Sequence, residues 1–170
     1  MRHRLQLLIA LATLAPTVVA CSHSVPPAMK APASLPSMQV MRLDGTATDL
    51  SSVLRGRVAV VSFWATWCDA CINEIGALER LQTQAGARRD AVVVGVAVGE
   101  KHETVAAFAR GRRLVYAQLV DEDFRLADAL GEKRVPTTLV IDHSGRIVFR
   151  GGTLDSAGLA AFRTALGASQ

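Results

Sequence analysis

Two cysteines, Cys68 and Cys71, close the stretch Phe63-Trp64-Ala65-Thr66-Trp67-Cys68-Asp69-Ala70-Cys71, directly behind two tryptophans. The chain of 170 residues holds one other cysteine, Cys21. A pair spaced C-x-x-C can bind metal, form a structural bridge, or exchange thiol for disulfide. A structural zinc site needs four ligands, commonly a second C-x-x-C or two closely spaced histidines. Here His102 and His143 stand alone, more in keeping with surface or turn residues than with ligands. A bridge between residues three apart closes a very small loop and removes little entropy from the unfolded chain. Reversible exchange fits best, and its expected setting is a buried strand running into a helix.

The flanking sequence provides that setting. Val58 to Trp64 is a short apolar, β-rich run with no polar alternation, the pattern of a strand covered on both faces. Beyond the pair, Cys71, Ile75, Leu78, Leu81 and Ala85 recur at helical spacing until Gly86. Cys68 is then expected at the first turn of the helix, where unpaired N–H groups and the positive end of the helix dipole stabilise a thiolate. It is the expected nucleophile. Cys71, one turn further in and more buried, would resolve the mixed disulfide.

Further along, Ala91 to Val98 reads as a second buried strand. A helix carrying Val105, Phe108 and Ala109 is expected to stop at Gly111, and Leu114 to Val120 reads as a strand. Asp121, Glu122 and Asp123 place acidic groups at the start of a short helix. Thr137–Asp142 and Arg146–Arg150 flank His143-Ser144-Gly145 as an antiparallel hairpin, and a final helix carries Leu159, Phe162 and Leu166 inward. Met41 to Thr46, with Asp44-Gly45 at its turn, predicts a small N-terminal hairpin. Strands interleaved with helices in this order imply a mixed central sheet covered by helices.

Upstream of that domain, Arg2, His3 and Arg4 precede a mostly apolar run from Leu5 to Ala20, broken by Gln6, Thr13 and Pro16. This is the layout of a secretory signal rather than of a permanent span. Val18-Val19-Ala20-Cys21 resembles the lipobox of bacterial lipoproteins, in which the cysteine receives lipid and becomes the new N-terminus. Residues 1–20 are read as the signal, 21–37 as the lipidated Cys21 with a disordered Pro/Ala/Ser tether, and 38–170 as one folded domain. The protein is thus expected outside the cytoplasm, in the cell envelope and periplasmic in a Gram-negative cell, where thiols oxidise unless kept reduced. The net charge of +4 includes two signal-peptide charges and is otherwise scattered, which argues against a nucleic-acid partner.

The whole pattern resembles the thioredoxin fold and, within it, the TlpA/ResA-like, membrane-anchored thiol:disulfide oxidoreductases. The resemblance runs from the Leu50 region through Gly56-Arg57, the FWATWC stretch, Val96-Ala97-Val98-Gly99-Glu100 and Val135-Pro136-Thr137-Thr138 to Ser144-Gly145-Arg146. It implies an α/β three-layer sandwich, a mixed central sheet flanked by helices, with the short hairpin in front. It also implies a cis Pro136 facing the cysteines, so that the Val135 backbone pairs with an extended substrate while Trp67 contacts it. Glu74 matches an acidic residue that this subfamily places beside its cysteines, and Glu100 matches a second. Either carboxylate could accept the proton of the resolving thiol.

The sequence departs from thioredoxin at several points. Ser62 stands where thioredoxin has a buried aspartate, Ala70 where a proline usually separates the cysteines, and Gly76 where a proline usually kinks the helix; Asp69 adds negative charge beside Cys68. The resulting expectation is an extracytoplasmic reductant of disulfides in exported proteins. Apocytochrome c is one implied substrate, a membrane thiol carrier the implied electron donor, and no cofactor or metal is required. Two alternatives remain. One is an envelope copper-delivery protein of the same fold, which typically has an extra residue between its cysteines and a distant histidine ligand. The other is a thiol peroxidase of the sister branch, whose signature needs threonine and proline where this chain has Ala65 and Val61.

Overall fold

The computed structural model describes residues 35–167. The signal segment, Cys21 and most of the expected tether lie outside the described residues. The chain forms, in order, β1 (Gln39–Arg42), β2 (Ala47–Asp49), α1 (Leu50–Leu54), β3 (Val58–Trp64), α2 (Asp69–Gly86) and β4 (Ala91–Val98). It continues with α3 (His102–Arg112), β5 (Ala117–Asp121), α4 (Arg125–Leu130), β6 (Thr137–Ile141), β7 (Ile147–Gly151) and α5 (Ser156–Gly167). The strands make one seven-stranded sheet in the order β2-β1-β5-β4-β3-β6-β7. β3, β4 and β5 run parallel; β1 joins β5, β6 joins β3 and β7 joins β6 in antiparallel pairs.

The apolar runs at β3 and β4 are central strands, and every residue of both is buried. Their side chains part by the two-residue period of a strand. Ala59, Val61 and Phe63 join Leu50, Leu54, Leu126 and Leu130, so α1 and α4 cover one face. Val58 and Val60 join Ile75, Leu78, Leu81 and Phe162, so α2 and α5 cover the other. A third cluster, Trp64, Ala65, Cys68, Cys71, Ala97, Val105 and Val120, lies where β3 meets α2 and brings α3 to the cysteines. The expected three-layer sandwich with its N-terminal hairpin is present, and Gly45 at the hairpin turn has φ +84.

Several boundaries differ from expectation for local reasons. α3 does not stop at Gly111 but runs to Arg112, and Arg113, in the left-handed conformation (φ 56), ends it. Glycine inside a helix weakens it without breaking it. β5 begins at Ala117 rather than Leu114, because pairing with β4 starts at Val94↔Ala117. Helix α1 was not apparent in the sequence; it is a single short turn capped by Asp49, whose side chain accepts from Ser52 N–H. The acidic run before α4 acts through one member. Buried Asp121 accepts from the N–H groups of Leu126 (3.2 Å) and Ala127 (2.8 Å), satisfying the head of the helix from below.

Beneath the cysteines lies a buried polar contact. Trp64 Nε1–H donates to Gln118 Oε1 at 3.1 Å, and Gln118 Nε2–H donates to Tyr116 O at 3.3 Å. Gly95 leaves room for it: a Cβ there would overlap Gln118 Oε1 and lie 2.9 Å from Trp64 Nε1. Gly95→Ala is therefore expected to cost about 2–4 kcal/mol by overpacking and loss of the buried hydrogen bond. Gly111→Ala, where the added Cβ meets nothing within 4 Å, is expected to stabilise by about 0.5–1 kcal/mol. Urea denaturation of the two variants checks both signs.

Candidate active site

β3 delivers the chain to Trp64 at the C-terminal end of this central strand, and five residues later α2 begins. Cys68 is not inside the first turn; it is the cap, extended at φ −91 and ψ 98, with Asp69 the first helical residue. Its sulfur takes the place that a serine or aspartate oxygen holds at most helix heads, accepting from Cys71 N–H at 3.2 Å. Cys68 and Cys71 are joined as a disulfide. Both sulfurs belong to the buried cluster, with Cys68 at 7% exposure and Cys71 at 3%, the order expected of an attacking and a resolving thiol.

The loop between β3 and α2 is held from the side by Glu100. Its carboxylate accepts from Thr66 N–H at 2.6 Å and from the Thr66 hydroxyl at 2.5 Å. Both oxygens of Glu100 are thus engaged one residue before Trp67, an arrangement suited to holding the loop. Trp64 packs at 5.4 Å centroid distance against Phe108 of α3, and the Arg112 guanidinium lies 5.1 Å from the same ring's centre. Trp67, by contrast, is 68% exposed.

Glu74 lies one turn along α2 from Cys71 and is buried. Its Oε1 accepts from the Leu154 N–H at 2.5 Å, eighty residues away in sequence. Its Oε2 has no hydrogen-bond partner, and neither does the buried Thr138 hydroxyl, which lies near enough to favour the charged carboxylate without a formed bond. Burial raises the Glu74 pKa, and the bond from Leu154 and the proximity of Thr138 offset it only in part.

The Val135–Pro136 peptide bond is cis. Val135 packs against the cluster that contains both cysteines, and Thr137, which opens β6, pairs with Phe63 of β3. The loop from Glu132 to Pro136 is tied down by the Glu132–Arg150 ion pair, with Arg150 also donating to Leu130 O at 3.2 Å. Between this loop and Trp67 lies a cavity of about 240 Å³, walled by Phe63, Trp67, Val98, Phe124 and Val135.

The structure therefore brings Trp67, Cys68, Cys71 and Val135 together, sets Glu74 along the same helix, and places Glu100 at the side of the loop. Sequence reasoning missed Phe124, which is left-handed (φ 58), 46% exposed and packed over Gly99, where any Cβ would overlap its ring. The glycine beside Glu100 was the one available signal. It also missed Gln118, whose polar side chain interrupts an otherwise apolar run, and the Leu154 amide, which no side chain announces. Among the described residues, no three His, Cys, Asp or Glu side chains group so as to hold a metal. His102 and His143 instead contact the carbonyls of Arg42 and Ala165.

This arrangement can be compared with known proteins. The chain is 33% identical over 113 residues to the thioredoxin-like protein YneN of Bacillus subtilis, an alignment covering 66% of this chain and 65% of that protein. It is 28% identical over 141 residues to the thiol-disulfide oxidoreductase ResA of Geobacillus thermodenitrificans, covering 83% of this chain and 80% of that one. Among solved structures, a thiol:disulfide interchange protein of the thioredoxin family from Chlorobium tepidum superposes with a TM-score of 0.66 at 28% identity, over 80% of this chain and 97% of the other. The thioredoxin-like sheet and its helices are thus shared with that structure. The model of the AhpC/TSA family matches residues 31–150, which span the redox pair, the cis-proline loop and all but the last residue of β7, and the chain accordingly belongs to the AhpC/TSA family.

Proposed function

We propose that the protein is an extracytoplasmic thiol:disulfide oxidoreductase that reduces disulfides in exported proteins, apocytochrome c among them. In this reading a lipid on Cys21 anchors it and a membrane thiol carrier recharges it. One observation carries the reading: a Cys68–Cys71 disulfide at the head of α2, bordered by exposed Trp67 and by Val135 of the cis-proline loop. The relatives named as thiol-disulfide oxidoreductase and interchange protein support the chemistry.

In the reduced enzyme the Cys71 N–H and the open N-terminus of α2 stabilise a Cys68 thiolate. That thiolate attacks one sulfur of a substrate disulfide, forming a Cys68–substrate bond and releasing the other substrate sulfur as a thiolate. Cys71, deprotonated, then attacks Cys68 Sγ. The mixed disulfide breaks, the second substrate sulfur leaves, and two electrons have passed from enzyme to substrate. Val135 and Trp67 are assigned to holding the substrate strand, Pro136 to shaping that loop, and Glu74 to receiving the Cys71 proton. Glu100 is assigned to positioning the loop.

The peroxidase alternative is disfavoured by Ala65 and Val61, both fully buried and apolar, which offer no hydroxyl beside Cys68. The copper alternative is disfavoured because, among the described residues, no third His, Asp or Glu joins the cysteines as a ligand group, and His102 and His143 contact the carbonyls of Arg42 and Ala165.

Cys68→Ser and Cys71→Ser are each expected to abolish reduction of insulin disulfides while the far-ultraviolet spectrum stays native; full turnover by either would overturn the assignment. For the anchor, Cys21→Ser is expected to leave the membrane fraction or remain unprocessed, as read by fractionation and intact mass.

Asp69 and Glu74 place negative charge near the Cys68 thiolate and oppose it, so the pair is expected near thioredoxin's potential, about −270 mV, rather than near that of a strong oxidant, about −120 mV. Asp69→Asn and Glu74→Gln are each expected to move it towards oxidising values, by about 30 mV for every ~1.4 kcal/mol of thiolate stabilisation. Equilibration against glutathione measures both. Exposed Asp69, screened by solvent, has the smaller effect.

Glu74 also leaves a signature in stability. Its folded pKa is raised above the unfolded value, so its contribution is complete below the unfolded pKa and is lost as pH rises through the folded one. Wild type is expected to lose stability over that interval. Glu74→Gln, which keeps an acceptor for Leu154 N–H, removes the loss, and denaturant midpoints taken from about pH 4 to 8 make the comparison.

A further inference from the structure

At the end of the sheet opposite Cys68, four arginines from separate segments line one cleft of about 530 Å³: Arg42 at the end of β1, Arg55 and Arg57 in the turn before β3, and Arg89 in the loop before β4. Its apolar wall includes Val53 and Val92, and no carboxylate lines it. Asp90, the acid next to Arg89 in sequence, is engaged by Arg88 instead. Two of the guanidiniums are already fixed. Arg57 donates from Nε to Leu54 O at 3.0 Å and from Nη2 to Val53 O at 2.8 Å, and Arg42 donates from Nη2 to Thr48 Oγ1 at 3.3 Å. Among the described residues, Arg55 and Arg89 have no ion-pair partner. Arg55 also sits in the left-handed region at φ 51, just before Gly56 at φ 71, a conformation that glycine or asparagine would hold with less strain. That conformation ends α1, with the Arg55 N–H bonded to Ser51 O, and it sets an unpaired guanidinium beside Arg89 on a concave surface of like charge that a bound anion would relieve.

We propose that this cleft is a binding site for a phosphate group. Guanidiniums supply planar pairs of N–H donors matched to phosphate oxygens, and four of them more than balance the charge of a phosphate dianion. Two sources carry this chemistry, a phospholipid headgroup and a free phosphate, and in either case the ligand would sit a full strand length from the redox pair and leave it open to substrate. The site does not depend on the redox reading.

The test is a titration of the full chain in zwitterionic bicelles, following the arginine Nε–H resonances by NMR. One arm adds phosphatidylglycerol to the bicelles and the other adds inorganic phosphate, with chloride at matched ionic strength as control. A saturable shift of the Arg57 and Arg42 resonances is expected with one of the two probes, and the responding arm identifies the source. Arg55→Asn with Arg89→Gln, both at exposed positions, is expected to weaken that response at least about tenfold. The far-ultraviolet spectrum and denaturant midpoint of the double variant should match wild type, which reports an intact fold. Shifts no larger than with chloride in both arms, or a double variant that responds as wild type does, would overturn the site.

Discussion

The redox centre rests on how one helix is started. An α-helix leaves its first N–H groups without partners, and at α2 one of these, from Cys71, points at the sulfur of Cys68. A sulfur is a poor acceptor when neutral and a good one when charged. The cap that is weak in the oxidised protein thus becomes strong once Cys68 is a thiolate, so the fold itself favours the reactive form. For this to work, α2 must begin within a few residues of the end of β3 and be held there. Burial of all seven residues of β3 and all eight of β4 supplies the holding, since neither strand can shift by one residue without turning its valines to the wrong face.

The smaller interactions near the site secure the same geometry from different sides. Glu100, just past β4, grips Thr66 and sets the path into the helix. The Trp64–Gln118 bond fixes the floor, and Phe108 closes it from α3. On the far side, the Glu132–Arg150 pair anchors the loop carrying Val135 and Pro136 to β7. Each contact joins segments far apart in sequence, so the site is assembled only when the sheet is complete. The same sheet separates the cysteines at one end from the arginine cleft at the other.

Much of this was legible in the residues. β3 and β4 emerged with their true ends because unbroken apolar runs bounded by polar residues have one reading in a sheet covered on both faces. The cysteine pair came from its spacing between a strand and a helix, whereas Trp67 and the cis-proline loop came with the resemblance to the thioredoxin fold. What stayed hidden was of two kinds. Helix α1 has too few residues to show periodicity, and Gly111 appeared to end α3 because sequence alone does not separate a tolerated helical glycine from a terminating one. The partners of Glu74 and Trp64 were hidden for a deeper reason. One is a backbone amide and the other a glutamine in another strand, and neither pairing leaves a local pattern. Phe124 belongs here too, since only Gly99 opposite gives its ring somewhere to lie.

The loss of the buried aspartate at Ser62 can be weighed against this arrangement. A buried carboxyl beneath the cysteines can take up the proton that the resolving thiol must lose. Ser62 is 2% exposed and cannot do so at ordinary pH. Glu74 is a buried acid on the helix instead of the strand, one turn along α2 from Cys71, with one oxygen held by Leu154 N–H and the other without a hydrogen-bond partner. Its pKa is raised because its charge is poorly solvated, which is the condition for a carboxylate to compete for the proton of a thiol. Moving the acid from strand to helix also changes what it holds. On α2 it accepts from the Leu154 N–H, which ties the helix that carries the cysteines to the segment entering α5. An acid on the strand would make no such tie, whereas the buried acid of this chain also fixes the approach to its C-terminal helix.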